Sequence, residues 1–180
     1  MNLIAFAAST SQQSINKKLV SYAVDKVKTI APQISSEVLD LNDFEVPIFS
    51  VDKEKKDGSP KSAERLIKKI QQSDYIIISF AEHNGSYTAA YKNLFDWCSR
   101  IEQKVYQNKK VLALATSPGK GGASNVLTSA ASSLPHFGAK LIGSLSFPSF
   151  YEIFEVEKAQ LIDSELDQQL DKLLQKLLEN

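Results

Sequence analysis

The sequence predicts an α/β protein built on an open, parallel, five-stranded sheet with helices on both faces. Two observations carry that prediction. Strand-like apolar runs alternate with helix-period stripes along the whole chain. The central run, Tyr75-Ile76-Ile77-Ile78-Ser79-Phe80, is apolar without alternation, as a strand is when helices cover both of its faces.

The elements follow in order. Leu3-Ile4-Ala5-Phe6-Ala7 reads as the first strand. Leu19, Tyr22, Ala23, Val27 and Ile30 recur at three- and four-residue spacing on one helix face, and Pro32 ends that helix. Glu37 to Leu41 is the second strand, followed by a loop with Pro47 and the polar stretch Asp52 to Pro60. Ala63, Leu66, Ile67 and Ile70 stripe a second helix before the third strand, Tyr75 to Phe80. Tyr91, Leu94, Phe95 and Cys98 mark a third helix, and Val111 to Ala115 the fourth strand. Val126, Leu127, Ala130 and Leu134 face a fourth helix, and Lys140 to Ser146 is the fifth strand. Ile162, Leu166, Leu170, Leu173 and Leu177 stripe the last helix. Without a repeat, linker or low-complexity segment, residues 1–180 are expected to form one domain.

Composition narrows the function classes. Hydrophobic residues make up 43% and charged residues 23%, ordinary for a globular domain. The formal charge is zero, with 21 basic and 21 acidic side chains, so a nucleic-acid partner is not expected. One cysteine, Cys98, excludes an internal disulfide and a multi-thiolate metal site. Two histidines, His83 and His136, argue against a protein-built transition-metal centre. No apolar run reaches the ~20 residues of a membrane helix and no leader precedes Leu3, so the expected location is cytoplasmic.

In open parallel sheets ligands sit beyond the carboxyl ends of the strands, where strand order reverses, which directs attention to three loops. After the first strand comes Ser9-Thr10-Ser11-Gln12-Gln13-Ser14-Ile15-Asn16, opening directly into a helix. Hydroxyls and backbone N–H groups gathered at a positive helix end suit a phosphate. The loop has no glycine and no P-loop lysine pattern, so a terminal monophosphate fits better than a pyrophosphate. A serine-rich turn with Ser14 as a plain N-cap is the competing reading. After the third strand comes Ala81-Glu82-His83-Asn84-Gly85-Ser86-Tyr87. After the fourth comes Thr116-Ser117-Pro118-Gly119-Lys120-Gly121-Gly122-Ala123, with three of the chain's seven glycines. Such clustering marks a backbone that approaches something closely, a flat heterocycle or the following helix.

These loops, in this order and spacing, resemble the NAD(P)H-dependent FMN reductases of the flavodoxin-like superfamily. Ser9, Ser14 and Asn16 match that family's first motif, and Glu82, Asn84 and Ser86 its second. Lys92, Asn93, Asp96, Trp97, Ser99 and Arg100 match a downstream segment, the most specific part. Ser117, Pro118, Gly119 and Gly122 match the last, and the resemblance covers roughly residues 1–145.

The resemblance implies a three-layer flavodoxin-like fold with strand order 2-1-3-4-5. It implies that Ser9, Ser14 and Asn16 hold the FMN phosphate, with Ser11 and Ile15 also among the cofactor-binding residues. Glu82, His83, Asn84, Gly85 and Ser86 would bind the polar edge of the flavin ring, and Ser117, Pro118, Gly119, Gly121 and Gly122 would border it. The implied activity passes hydride from NADPH or NADH through FMN to a flavin, quinone or similar small acceptor. The flavin carries the chemistry, so no catalytic side chain is assigned. Homodimers or homotetramers are usual in the family. Three residues depart from its pattern: Ser11 stands where Arg is usual, Ala81 where Pro is, and His83 where Tyr is. Losing a charge-assisted contact to phosphate costs about 1.5–3 kcal/mol, or about ten- to a hundredfold in affinity.

Two other functions compete with the reductase: a flavin-binding electron carrier reduced by a partner protein, and a family member that has lost tight FMN binding. The neutral net charge disfavours the carrier, which would dock through a strongly acidic surface. Among single residues, His83 is either a flavin-tuning group or a loop-tip histidine, and His136 a surface or helix-end residue. Asp96 and Arg100, at i,i+4 spacing, are expected to pair along their helix. Trp97 and Cys98 are expected in the core, and Lys53 to Asp57 in a solvated loop.

Overall fold

Apolar runs and helical stripes become alternating strands and helices in the computed structural model, which describes residues 1–179. The chain begins with β1 (Asn2–Ala8), α1 (Ile15–Ile30) and β2 (Ser35–Leu39). A 3-10 turn at Leu41–Phe44 leads to α2 (Val51–Asp57), α3 (Lys61–Gln72) and β3 (Tyr75–Phe80). A small hairpin, β4 (Glu82–His83) and β5 (Ser86–Tyr87), precedes α4 (Ala89–Ile101) and β6 (Lys110–Thr116). Then come α5 (Ser124–Ser133), β7 (Lys140–Phe147) and the one-turn α6 (Phe150–Ile153). A second hairpin, β8 (Phe154–Glu155) and β9 (Gln160–Leu161), leads to α7 (Ser164–Leu178).

Five of these strands form one parallel sheet in the order β2-β1-β3-β6-β7. This is the flavodoxin-like order 2-1-3-4-5 expected from the sequence, with β6 and β7 as its fourth and fifth strands. The order reverses between β1 and β3, and the register there is level. Ala8 lies opposite Phe80, and Phe80 opposite Ala115, so the loops after β1, β3 and β6 leave the sheet side by side. That is where such sheets hold ligands.

Side chains alternate between two cores, because successive residues of a strand point to opposite faces. Ile4, Phe6, Ile76, Ile78, Val111 and Ala113 pack under α3, α4 and α5. Leu3, Ala5, Ile77, Leu112 and Leu114 pack under α1 and α7. Each large aliphatic side chain so buried contributes about 1.5–3 kcal/mol, which makes the rows of β3 and β6 the strongest determinants of the fold.

The structure corrects four local expectations. The second strand runs two residues earlier, Ser35–Leu39, because Asp40 caps the 3-10 turn, its Oδ1 accepting the Asn42 N–H at 2.9 Å. Residues expected as a loop contain α2, capped by Ser50. None of its residues is buried, so it has no apolar stripe to read. The last helix begins after Ile162, which is 58% exposed, because Asp163 caps α7 by accepting from Glu165 and Leu166 N–H. Ile30, placed on the buried face of α1, is exposed at its last turn.

Candidate functional site

The loop after β1 turns into α1 at Ser14, whose Oγ accepts the Lys17 N–H at 3.3 Å. Ser9 Oγ accepts the Ser11 N–H at 3.2 Å. Both serines are nearly buried, at 9% and 7% exposure. Their hydroxyls accept these bonds but donate to nothing among the described residues. The first amides of a helix have no partner within it, and those of Ile15 and Asn16 find none elsewhere among the described residues. Two free N–H groups and two undonated hydroxyl protons thus meet at the positive end of a 16-residue helix.

Asn16 behaves differently from its neighbours. It is 3% exposed, and its side chain is committed inside the fold. Its Oδ1 accepts from Ser79 Oγ at 2.7 Å and from the Thr116 N–H at 3.1 Å, while its Nδ2 donates to Thr116 O at 3.1 Å. Asn16 therefore fastens the start of α1 to the ends of β3 and β6. Lys17 pairs with Asp40 at 2.5 Å, and that bond holds the Asp40 carboxyl below its usual range, helped by the Asn42 amide.

After β3 the chain forms the β4–β5 hairpin. Asn84 (φ 52°) and Gly85 (φ 76°) are its two turn residues, the combination that tight two-residue hairpins favour. Glu82 Oε2 accepts the Val126 N–H at 2.9 Å, capping α5, whose own N-cap residue Ala123 has no side-chain cap to offer. The loop after β6 is held from the far side: Ser149 N–H donates to Gly119 O and Phe150 N–H to Ser117 O. At Gly122 a side chain could not fit, since a Cβ there would lie 2.2 Å from Ser146 Oγ and 3.0 Å from Pro148 N.

These loops enclose an open cavity of about 230 Å³. Of the residues the sequence singled out, Ser9, Ser11, Ser14, Ile15, Asn16, Glu82, His83, Ser117 and Pro118 line it. Asn84, Gly85, Ser86, Gly119, Gly121 and Gly122 do not; the first two are spent on the hairpin turn, and Gly122 packs on the loop after β7. Four lining residues were not anticipated: Gln13, Ala81, Thr116 and Tyr151. The first three lie within or beside the predicted loops. Tyr151 comes from beyond β7, a loop the switch-point argument does not single out. No Lys or Arg lines the cavity.

The remaining single-residue expectations divide. Asp96 does not pair with Arg100: it accepts from Lys92 at 2.7 Å, one turn earlier, and Arg100 reaches Glu54 on the unanticipated α2 at 3.0 Å. Trp97 and Cys98 are buried as expected, with Trp97 Nε1 donating to Pro47 O at 2.7 Å. Burial pushes the Cys98 thiol up to about 12. His83 and His136 are both exposed. Among the described residues no cluster of His, Cys, Asp and Glu could hold a metal ion, and no helix is long and apolar enough to cross a membrane.

The model of the NADPH-dependent FMN reductase family matches residues 1–152. The chain belongs to that family. Among curated relatives, an NADPH:quinone oxidoreductase of Arabidopsis thaliana is 29% identical over 122 residues, 68% of this chain and 61% of that protein. A quinone reductase of Escherichia coli is 31% identical over 97 residues, 51% of this chain and 52% of that protein. The chain thus spans about half to three-fifths of the length of these family members. Among solved structures, the flavoenzyme NAD(P)H:(acceptor) oxidoreductase FerB of Paracoccus denitrificans superposes with a TM-score of 0.73 at 23% identity, covering 98% of this chain and 96% of that one. At that identity the likeness establishes the shared fold.

Proposed function

We propose that residues 1–180 form one unit that binds FMN in the cavity beyond β1, β3 and β6 and acts as an NAD(P)H-dependent reductase. The observation that carries this reading is the convergence of two free helix N-terminal amides with the Ser9 and Ser14 hydroxyls, inside a chain of the FMN reductase family. These are donors matched to a monophosphate, and they stand at the strand-order reversal.

In this reading Ser9, Ser11, Ser14 and the Ile15 and Asn16 amides hold the phosphate. Asn16 holds those amides in place. Glu82, His83, Ser117 and Pro118 border the rest of the bound flavin, with Asn84 to Ser86 and Gly119 to Gly122 shaping the loops that carry them. When bound, FMN supplies the two-electron chemistry, taking hydride from NADPH or NADH and passing electrons to a quinone, flavin or similar small acceptor. The protein's part is to bind, orient and restrict access. Quinone reductases among the relatives favour a quinone-type acceptor. The family resemblance favours a homodimer or homotetramer, which light scattering on the purified chain tests.

The deciding experiment is to add FMN, desalt, and record the visible spectrum, then add NADPH or NADH without oxygen. Retained flavin bands that bleach with nicotinamide and return on adding a quinone are the expected result. Bands that persist until a protein donor is supplied would replace the reductase with an electron carrier. A colourless protein that reduces no added FMN would leave a family member without flavin chemistry.

A further inference from the structure

The donors around the proposed phosphate position are all neutral. Ser9, Ser11, Ser14 and the first amides of α1 contribute dipoles, and no Lys or Arg side chain lines the cavity. Lys17, next along α1, is tied to Asp40. A phosphate carries up to two negative charges and three oxygens, so a cradle without a cation needs further donors to compensate. One more residue with a hydroxyl lines the cavity from outside the three loops: Tyr151.

Tyr151 is placed there by a defined piece of backbone. Ser149 sits in the left-handed region (φ 48°), and its N–H donates to Gly119 O at 2.9 Å. The Phe150 N–H donates to Ser117 O at 3.1 Å. Phe150 is fully buried, stacks on Phe154 with ring centroids 4.8 Å apart, and meets Tyr151 edge-on at 5.5 Å. One-turn α6 is thus clamped to the loop after β6 by two main-chain bonds and an aromatic anchor. It carries a tyrosine that is 65% exposed, lines the cavity and has a hydroxyl without a partner among the described residues. A non-glycine residue held at positive φ is strained, and such strain recurs where a ligand must be gripped.

We propose that Tyr151 is a specificity-determining residue of this site, its hydroxyl donating to the ligand's phosphate as part of a cradle that contains no cationic Lys or Arg. This rests on the FMN reading above and adds to it a preference for the phosphorylated flavin through a neutral donor.

The test compares FMN with riboflavin, which lacks the phosphate, by quenching of flavin fluorescence in wild type, Tyr151→Phe and Tyr151→Ala. Tyr151→Phe keeps the ring and removes one hydrogen bond to a charged group, so FMN binding weakens by about tenfold or more while riboflavin binding is unchanged. Tyr151→Ala loses at least as much for FMN. A neutral cradle also makes FMN affinity insensitive to salt, changing less than about twofold from about 0.05 to about 0.5 M. Equal FMN affinity in wild type and Tyr151→Phe overturns the role of the hydroxyl. A steep fall with salt overturns the neutral cradle. Wild type that binds neither flavin overturns instead the FMN reading on which this rests.

Discussion

Asn16 and Thr116, a hundred residues apart, are joined by a reciprocal pair of hydrogen bonds: the Asn16 amide donates to Thr116 O and accepts the Thr116 N–H, each at 3.1 Å. With Ser79 donating to the same Oδ1 at 2.7 Å, one side chain fastens the beginning of α1 to the ends of two central strands. The loop that offers free amides and the loop that begins at Ser117 are therefore set relative to one another through Asn16. A ligand spanning both would meet a preset distance.

This separates Asn16 from Ser14, although both sit in one sequence motif. Asn16→Ala leaves a buried N–H and a buried C=O of Thr116 without partners, at about 1–3 kcal/mol for each unsatisfied group. Ser14→Ala removes an N-cap, worth about 1 kcal/mol, along with a hydroxyl facing the cavity. Urea denaturation should therefore find Asn16→Ala much the less stable of the two, with Ser14→Ala folding normally and losing FMN affinity. Equal stability of the two variants would mean that the Asn16 bonds contribute nothing.

How far the sequence revealed this arrangement depended on whether a residue announces its surroundings. The row Val111–Ala115 is apolar throughout and Tyr75–Phe80 is apolar but for Ser79, and only a doubly covered strand buries every position, so the sheet was legible. The loop hydroxyls were legible because a helix begins immediately after them. Asn84-Gly85 carries a second signal as well: this pair is the strongest short hairpin signal, and the hairpin uses it. Asp96 and Arg100 satisfied the i,i+4 rule, yet a lysine one turn earlier and a glutamate on an amphipathically silent helix took them. Tyr151 could not be found, since its approach depends on how β7 ends and not on any spacing.

Alkaline pH gives a global test of the packing. Burial, then the hydrogen bond to Asp167, pushes Tyr22 from 10.0 up to about 12. Burial alone would lower Lys26, but hydrogen bonds to the Asp171 and Asp167 carboxylates outweigh it and raise the amine from 10.5 to about 12. The buried phenols of Tyr91 and Tyr106, which share a 2.7 Å hydrogen bond, are raised too, chiefly by burial. Each group holds its proton more tightly folded than unfolded, so its contribution is complete below the ordinary value and disappears as pH rises toward the folded one. Stability should be level to about pH 9 and fall between about pH 10 and 12, with phenolate absorbance of these tyrosines appearing together with loss of helical circular dichroism. Tyr22→Phe should make that fall shallower. Full tyrosine ionisation near pH 10 with the helices intact would contradict the burial described.

The same window contains Cys98, whose thiol burial raises from 9.0 to about 12. The thiolate is the reactive form, and Cys98 is fully enclosed by the core under α3, α4 and α5. A thiol reagent added to the folded protein at neutral pH should leave Cys98 unmodified for hours, and modify it at once in denaturant. Cys98→Ala should keep flavin reduction at the wild-type rate while lowering the melting temperature through the small cavity it creates. Rapid labelling of the folded protein, with activity lost in step, would place a functional thiol where the structure shows a packing residue.

Gly122 offers the sharpest local test, because two separate constraints meet there. Its φ of 56° is the left-handed region, and an added Cβ would lie 2.2 Å from Ser146 Oγ, the group that donates to Gly122 O at 2.7 Å. The side-chain hydroxyl could rotate away, but Pro148 N at 3.0 Å is backbone and cannot. Gly122→Ala must therefore displace the loop after β6 from the end of β7, at about 1–3 kcal/mol of strain plus the lost Ser146 bond. Because Ser149 and Phe150 hang from Gly119 and Ser117 of the same loop, that displacement also moves Tyr151. Gly121→Ala makes the matched control, since a Cβ there meets nothing within 4 Å. Melting temperature and FMN affinity should both drop in Gly122→Ala and hold in Gly121→Ala. Were Gly122→Ala to lose stability while keeping full FMN affinity, the loop after β6 and α6 would have no part in holding the flavin.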